Sequence, residues 1–200
     1  MVKQERAVRT RQALVRAAAE LFAAHGYARA SLPAISARAG VSTGALHFHF
    51  PDKDALAGEV ERVAARTVRE LAGRCGRSEG SALGALVTAT RQLAVTLAAD
   101  PVTSAGFRLG GDPARRHRAG PLDWWQAWVR ETVGRAEAAG ELADGVCSEG
   151  AVVAVVAATA GFETLGSRDR DWLSRERMDR FWTLLLPCLA SRPPTKEPRP

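Results

Sequence analysis

The stretch "AGVSTGALHFHFPDKDAL", residues 39–56, sets a glycine-valine-serine corner before two histidines and two phenylalanines, then a proline and a charged run. Three readings compete for it: a metal site, a catalytic pocket, or a helix built to lie in a groove of DNA. Gly40 suits a turn with positive φ, Ser42 suits the cap of a helix running to about residue 50, and Pro51-Asp52 suits the opening of the next helix. His47 and His49 are two apart, so on a helix they point about 200° from each other and cannot share one ion. No further ligand stands nearby at zinc spacing, and no metal or cofactor is expected. Phe48 and Phe50 are read as core wedges between this helix, the following one and the first, in preference to stacking partners for bases.

Working upstream, residues 32–48 supply the parts of a helix-turn-helix. Ile35, Val41 and Leu46 form an apolar lock, Ser36 and Ala39 are small contacts, Gly40 sits at the turn and Ser42 caps the second helix. Ser31 caps the first, with Pro33 tolerated in its opening turn. Such a second helix enters the major groove with its N-terminal residues near base edges, while cap hydroxyls and free N–H groups meet phosphate. Gly44, with no side chain, permits close backbone approach. Further upstream, Leu14, Ala17, Ala18, Leu21 and Phe22 share one helical face, with Thr10 as the expected cap and Gly26 as the stop.

The rest of the chain also reads as helix. Leu56, Val60, Val63, Ala64 and Leu71 form the stripe of helix four, over about 51–74, and the Gly- and Ser-rich segment 73–81 is read as a hinge. Helix five carries Leu83, Leu86, Val87, Thr90, Leu93 and Leu97; Asp100-Pro101 opens helix six through residue 109. A tryptophan-bearing helix covers about 122–139, helix eight about 148–165 and helix nine about 173–189. No strand-like alternation and no repeat is present. The expected fold is therefore all-α: a tri-helical helix-turn-helix head over 1–50 and a helical body over 51–190, about nine helices in all. Residues 191–200, rich in proline and charge, read as a disordered tail, and the loop 110–121 as solvated and mobile.

Composition narrows the function. A formal charge of +6 and a pI near 10 favour an anionic partner, although charge alone does not separate nucleic acid from a membrane. Cys75, Cys147 and Cys188 show no C-x-x-C spacing, which fits a reducing cytoplasm. The start "MVKQERAVRTRQ" lacks a signal-peptide core, and "GAVVAVVAATAG" falls short of the roughly 20 residues that span a bilayer, so no membrane partner is expected. No nucleophile elbow, phosphate loop, H-E-x-x-H or convergent acid–base set is present, and no enzyme is expected.

Residues 10–56, "TRQALVRAAAELFAAHGYARASLPAISARAGVSTGALHFHFPDKDAL", resemble the DNA-binding head of the TetR family of bacterial transcriptional repressors. The resemblance implies a homodimer whose first three helices bind double-stranded operator DNA while the rest binds an inducer and the partner subunit. Carried over by position, it places Thr43, Gly44, Ala45 and His47 on the recognition helix beside the Ser42 cap. His49 and Lys53 fall near the DNA backbone, and Ser31 at the phosphate-facing start of helix two. Lys3, Arg6, Arg9 and Arg11 would form an N-terminal arm near DNA; singly, each reads equally as solvated surface. Many relatives carry lysine where Thr43 stands and tyrosine where His47 stands.

"DPVTSAGFRL" and "LDWW" resemble the γ-butyrolactone receptors and pseudo-receptors of that family. The resemblance implies a ligand-lining tryptophan on helix seven: Trp125, with Trp124 as competitor and Trp128 nearby. Phe107 and Leu109 then close one side, and Thr159 and Phe162 supply a hydroxyl and another wall; the alternative is that these residues only fill core or dimer contacts. Helix eight, with Val152, Val153, Val155 and Val156, is apolar nearly all round and is expected to be buried on most sides. With Phe181, Trp182, Leu185 and Leu189 of helix nine it reads as half of a symmetric four-helix dimer interface, the alternative being a purely internal core helix. Two functions stay open: a repressor released by a small lactone or antibiotic, and an orphan regulator whose body only dimerises.

Overall fold

The computed structural model describes residues 2–78, 80–115 and 119–191, with no account of the side chains of Val2 and Lys3. Among the described residues there are nine α-helices: α1 (Val2–Arg29), α2 (Leu32–Ala39), α3 (Thr43–His49), α4 (Lys53–Ser78), α5 (Ala82–Ala99), α6 (Pro101–Leu109), α7 (Pro121–Ala138), α8 (Ser148–Gly166) and α9 (Arg175–Leu189). The only extended pairing among them is an isolated bridge between Leu142 and Ala190. The expected all-α architecture holds.

The chain divides into two compact units, Met1–Glu70 with Thr96–Trp124, and Leu71–Val95 with Trp125–Pro200. In the first, Leu14, Ala18, Phe22, Ile35, Leu46, Phe50, Leu56 and Val60 form one buried core that Ala105 and Leu109 of α6 join. Helix α6 reaches it because Gly106 has no side chain: a Cβ there would stand 2.4 Å from the Cβ of Ala64 on α4. In the second unit, Leu86 and Leu93 of α5, Trp125 and Val129 of α7, Val152 and Val155 of α8, and Met178 and Trp182 of α9 are buried. The carboxylate of Glu141 caps α5, accepting from the N–H of Ala82 at 2.9 Å and of Leu83 at 2.8 Å.

Several local expectations are corrected. Thr10 is not a cap, because α1 starts at Val2; Gln4, Glu5, Arg6, Ala7 and Arg9 are all competent helix formers with no breaker among them. The regular helix breaks at Gly26, as expected (φ 76°, ψ 164°). The segment from residue 73 to residue 78 is not a hinge, since α4 continues through Gly73 and Gly76 to Ser78, held by the buried Leu71, Ala72 and Cys75. Ser191, expected in the tail, donates from its N–H to Glu141 O at 2.8 Å and from Oγ to Gly140 O at 3.0 Å. The remainder of the expected tail, 192–200, lies outside the described residues.

The loop after α6 also differs from expectation as far as Arg115. That side chain is 3% exposed, pairing with Glu61 at 2.8 Å and Asp54 at 3.2 Å on α4. Asp112 accepts from the N–H of Tyr27 at 3.2 Å. Three buried or half-buried anchors fix this half of the loop, whereas Arg116, His117 and Arg118 lie outside the described residues.

Helices α8 and α9 meet through Phe162 and Phe181, whose ring centroids are 5.4 Å apart. Within the chain, α8 is not buried on most sides: Val153, Ala157, Thr164 and Leu165 are exposed. On α9 the residues expected at the dimer interface divide. Trp182 and Leu189 point into their own unit with Met178, and the exposed face instead carries Thr183, Leu184, Pro187 and Cys188. The inward stripe at 178, 182, 185 and 189 is a helical period, and its opposite face is the one left uncovered. By length and composition α5 and α8 would suffice to cross a bilayer, and each contributes buried side chains to the second unit.

Candidate nucleic-acid interface

The turn between α2 and α3 is made by side chains the sequence places at its corners. Ser31 Oγ accepts from Ala34 N–H at 3.3 Å, starting α2. Gly40 takes the left-handed conformation (φ 69°, ψ 30°) that ends it, and its N–H donates to Ala37 O at 3.1 Å. Ser42 Oγ then accepts from Ala45 N–H at 3.1 Å and starts α3. Ile35 and Leu46 are fully buried between the two helices. The expected small contact, Ser36, is buried as well; its hydroxyl donates to Pro33 O at 3.0 Å and lies 3.3 Å from Thr43 Oγ1.

This arrangement leaves one face of α3 open. Ser42, Thr43, Gly44 and His47 are exposed; Ala45 and His49 are half-buried. Phe48, expected as a core wedge, is 83% exposed, while Phe50 is buried as expected. Leu46 and Phe50, four apart, occupy the core side, and Phe48 falls about 200° from Leu46. The spacing that separates the two histidines also separates the two phenylalanines.

The basic residues divide into free and committed. Arg6 and Arg9 are exposed on the first turns of α1, the segment expected to be an arm. Lys3 lies in the same helix, its side chain outside the description. Arg11 is committed: Nη1 donates to His49 O at 3.2 Å, Nη2 pairs with Glu59 at 3.1 Å, and the guanidinium lies 4.4 Å from the Phe50 ring centroid. Lys53, expected near the DNA backbone, instead donates to the carbonyls of Tyr27, Ala28 and Ala30 at 2.9, 3.3 and 3.0 Å. An ammonium has three donors, and all three serve the chain end of α1. Lys53 and Arg11 thus hold the head together. Sequence reading missed Glu59 and Arg115: Glu59 has a local i,i+3 partner in Arg62, but its pairing with Arg11, and that of Arg115 with Glu61 and Asp54, joins distant parts of the chain and leaves no local signal.

The expected ligand residues divide between the two units. Phe107, Leu109 and Trp124 belong to the first unit, where Phe107 and Leu109 are buried and Trp124 lies 5.8 Å from the Arg69 guanidinium. In the second unit Trp125, Trp128 and Thr159 do come together. Trp125 is fully buried, stacks on Trp128 at 5.0 Å and donates from Nε1 to Thr159 Oγ1 at 3.2 Å. Thr159 in turn donates to Val155 O at 2.8 Å. Phe162 joins Trp172 and Phe181 instead, at 6.4 and 5.4 Å.

Comparison with known proteins agrees with this geometry. The profile of the family described as "Bacterial regulatory proteins, tetR family" matches residues 14–60, which span α2, the turn and α3. The A-factor receptor protein of Streptomyces griseus is 31% identical over 194 residues, covering 95% of this chain and 67% of that protein. The crystal structure of a γ-butyrolactone receptor described as ArpA-like superposes with a TM-score of 0.81 at 28% identity, over 92% of this chain and 90% of the other. CprB of Streptomyces coelicolor, solved in complex with its biological operator sequence, gives 0.79 at 29% identity, over 96% and 92%. The chain belongs to the tetR family of bacterial regulatory proteins, on the branch that resembles the γ-butyrolactone receptors.

Proposed function

We propose that the chain is a homodimeric transcriptional repressor, cytoplasmic and without catalytic activity. In this reading it binds a pseudo-palindromic operator through α3 and leaves it when a small lactone or antibiotic-like ligand binds. The observation that carries the reading is the face of α3: Ser42, Thr43, Gly44 and His47 stand exposed on a helix fixed by caps at both corners of the turn. No aspartate or glutamate occurs between Ser31 and Phe50, so nothing on these two helices repels a phosphate backbone. We assign DNA contact to Ser31, Ser42, Thr43, Gly44, Ala45, His47 and His49, with Lys3, Arg6 and Arg9 as phosphate contacts.

A dimer presents two such helices, and successive major grooves on one side of a duplex are about 34 Å apart. The second copy is assigned to the exposed apolar face of α8 and α9, where Val153 is 57% and Leu184 77% exposed. Release then requires the ligand to prefer a state with the heads wrongly spaced; a preference of roughly 5 kcal/mol inverts a strongly biased pair of states. Helix α4 is the proposed lever. By kinship with proteins named for control of antibiotic production, the regulated genes are assigned to secondary metabolism.

One observation favours the second reading, an orphan regulator without inducer. The Trp125 N–H is already taken by Thr159, so a ligand accepting from that indole has to displace a hydroxyl that the chain itself supplies. Gel-shift titration of the operator complex with a panel of γ-butyrolactones and antibiotics separates the two. Release by one compound supports the inducer reading; unchanged DNA affinity across the panel leaves the orphan.

A further inference from the structure

Phe48 and Gly44 are the two residues of α3 whose placement the fold itself does not explain. A phenyl ring on a face otherwise built of Ser42, Thr43, Gly44 and His47 is 83% exposed, the most exposed large apolar side chain among the described residues. The core beneath has no use for it, being filled by Leu46 and Phe50. The only ring against it is His49, edge-on at 5.2 Å and 82°, which steadies the phenyl ring without covering it. Gly44 lies within the helix, and beyond its chain neighbours and the adjoining helix backbone a Cβ there would come no nearer than 3.9 Å to another atom, the Ser42 Oγ. The chain could carry alanine at that site without a clash, and alanine is the better helix former. What a side chain at 44 would obstruct therefore lies outside the chain.

The two residues are four apart, so they share one face of the helix, with the missing side chain beside the protruding ring. On a duplex, the groups displayed in the major groove are hydrogen-bond donors and acceptors, apart from the C5-methyl of thymine. A phenyl ring satisfies no donor or acceptor, so the methyl is the groove feature it matches. The absence of carboxylates from residue 31 to residue 50 keeps this face compatible with phosphates on both sides.

We propose that Phe48 is a specificity-determining residue for the operator: its ring packs on the 5-methyl group of a thymine in each half-site, and Gly44 supplies the clearance that lets α3 seat deeply enough for contact. This rests on the DNA-binding reading above and adds which base feature the helix reads.

The test removes the methyl group alone. A duplex selected from a random pool by the full-length dimer is remade with each thymine in turn replaced by uracil, and affinities are measured at fixed salt. The native chain is expected to lose roughly fourfold in affinity per half-site at one thymine, the effect of leaving one methyl-sized group unburied. Phe48→Ala is expected to bind more weakly, to show no further loss with uracil at that thymine, and to keep the native salt dependence, since no phosphate contact has changed. If the native chain is indifferent to uracil at every position, or if Phe48→Ala retains the native uracil profile, the thymine contact is overturned while the regulatory reading stands. Failure to select any preferred duplex sinks both.

Discussion

Helices α3 and α7 carry the two halves of the proposed function, and their positions are fixed in different ways. The seven residues of α3 are held at the ends: by the Ser42 hydroxyl at one, and by Arg11 on the His49 carbonyl at the other. Only Leu46 is buried along its length, and the exposed face at Gly44, His47 and Phe48 is left to meet something else. The eighteen residues of α7 are held along the middle, where Trp125, Val129, Val133 and Ala136 are all buried. Trp125, the side chain proposed to meet a ligand, is therefore also part of the core. Exposed side chains of the first kind can be altered without disturbing the fold, whereas a buried side chain of the second kind cannot.

The largest expected effect sharpens that contrast. Trp125→Ala removes a fully buried indole and leaves the Thr159 hydroxyl without its donor, so the chain should lose about 3–5 kcal/mol in denaturant unfolding. Trp125→Phe keeps most of the volume and deletes only the N–H. If the phenylalanine variant is near native in stability and has lost its response to ligand, the indole N–H belongs to recognition; if it responds normally, Trp125 is core alone. An alanine variant as stable as the native chain would break the comparison.

The same substitution at two glycines of the head gives a smaller and more pointed test. Gly40→Ala forces a side chain into a left-handed conformation and should cost about 1–2 kcal/mol, with operator affinity falling as the turn distorts. Gly44→Ala meets no clash inside the chain and gains helix propensity, so its melting temperature should equal or slightly exceed the native value while operator affinity falls. Equal melting temperatures for the two variants would mean that the turn tolerates what its backbone angles say it should not.

How far each region is legible in the sequence follows from the same difference. The caps Ser31 and Ser42, the Gly40 turn and the Ile35–Leu46 lock are local features, each read within a few residues, and all stand where expected. Phe48 is legible too, since the rule that puts His47 and His49 on opposite sides also sends Phe48 away from Leu46, against the general tendency of phenylalanine to be buried. Lys53 and Arg115 were not legible. Their partners are carbonyls at the end of α1 and carboxylates of α4, between 23 and 61 residues away, and nothing in the local pattern marks a cation for burial rather than for phosphate. The tryptophans fall in between, since period alone sorts buried Trp125 from half-buried Trp124 and Trp128 without saying what buries them.

The smallest effect concerns the clamp at the C-terminal end of α3, and it depends on pH. Glu59 receives Arg62 Nε at 2.8 Å and Arg11 Nη2 at 3.1 Å, with a second contact from Arg62. Burial works to raise its pKa, but the Arg62 hydrogen bond, followed by the charges of Arg11 and Arg62, outweighs it, so the carboxyl group sits below its ordinary value. A carboxylate held below its unfolded value contributes stability that is fully present above the unfolded pKa and is lost as the pH falls through the folded one. Arg11 and Arg62 are both substantially open to water, which screens the pair and keeps the effect small. Glu59→Gln should therefore melt slightly below the native chain at neutral pH, with the gap closing as the pH falls below the ordinary carboxylate range. Operator affinity of the variant should also fall, because Arg11 loses the anion that holds it against His49 and Phe50. A gap that persists unchanged into acid would mean that Glu59 acts by packing, and that α3 is seated by its apolar lock alone.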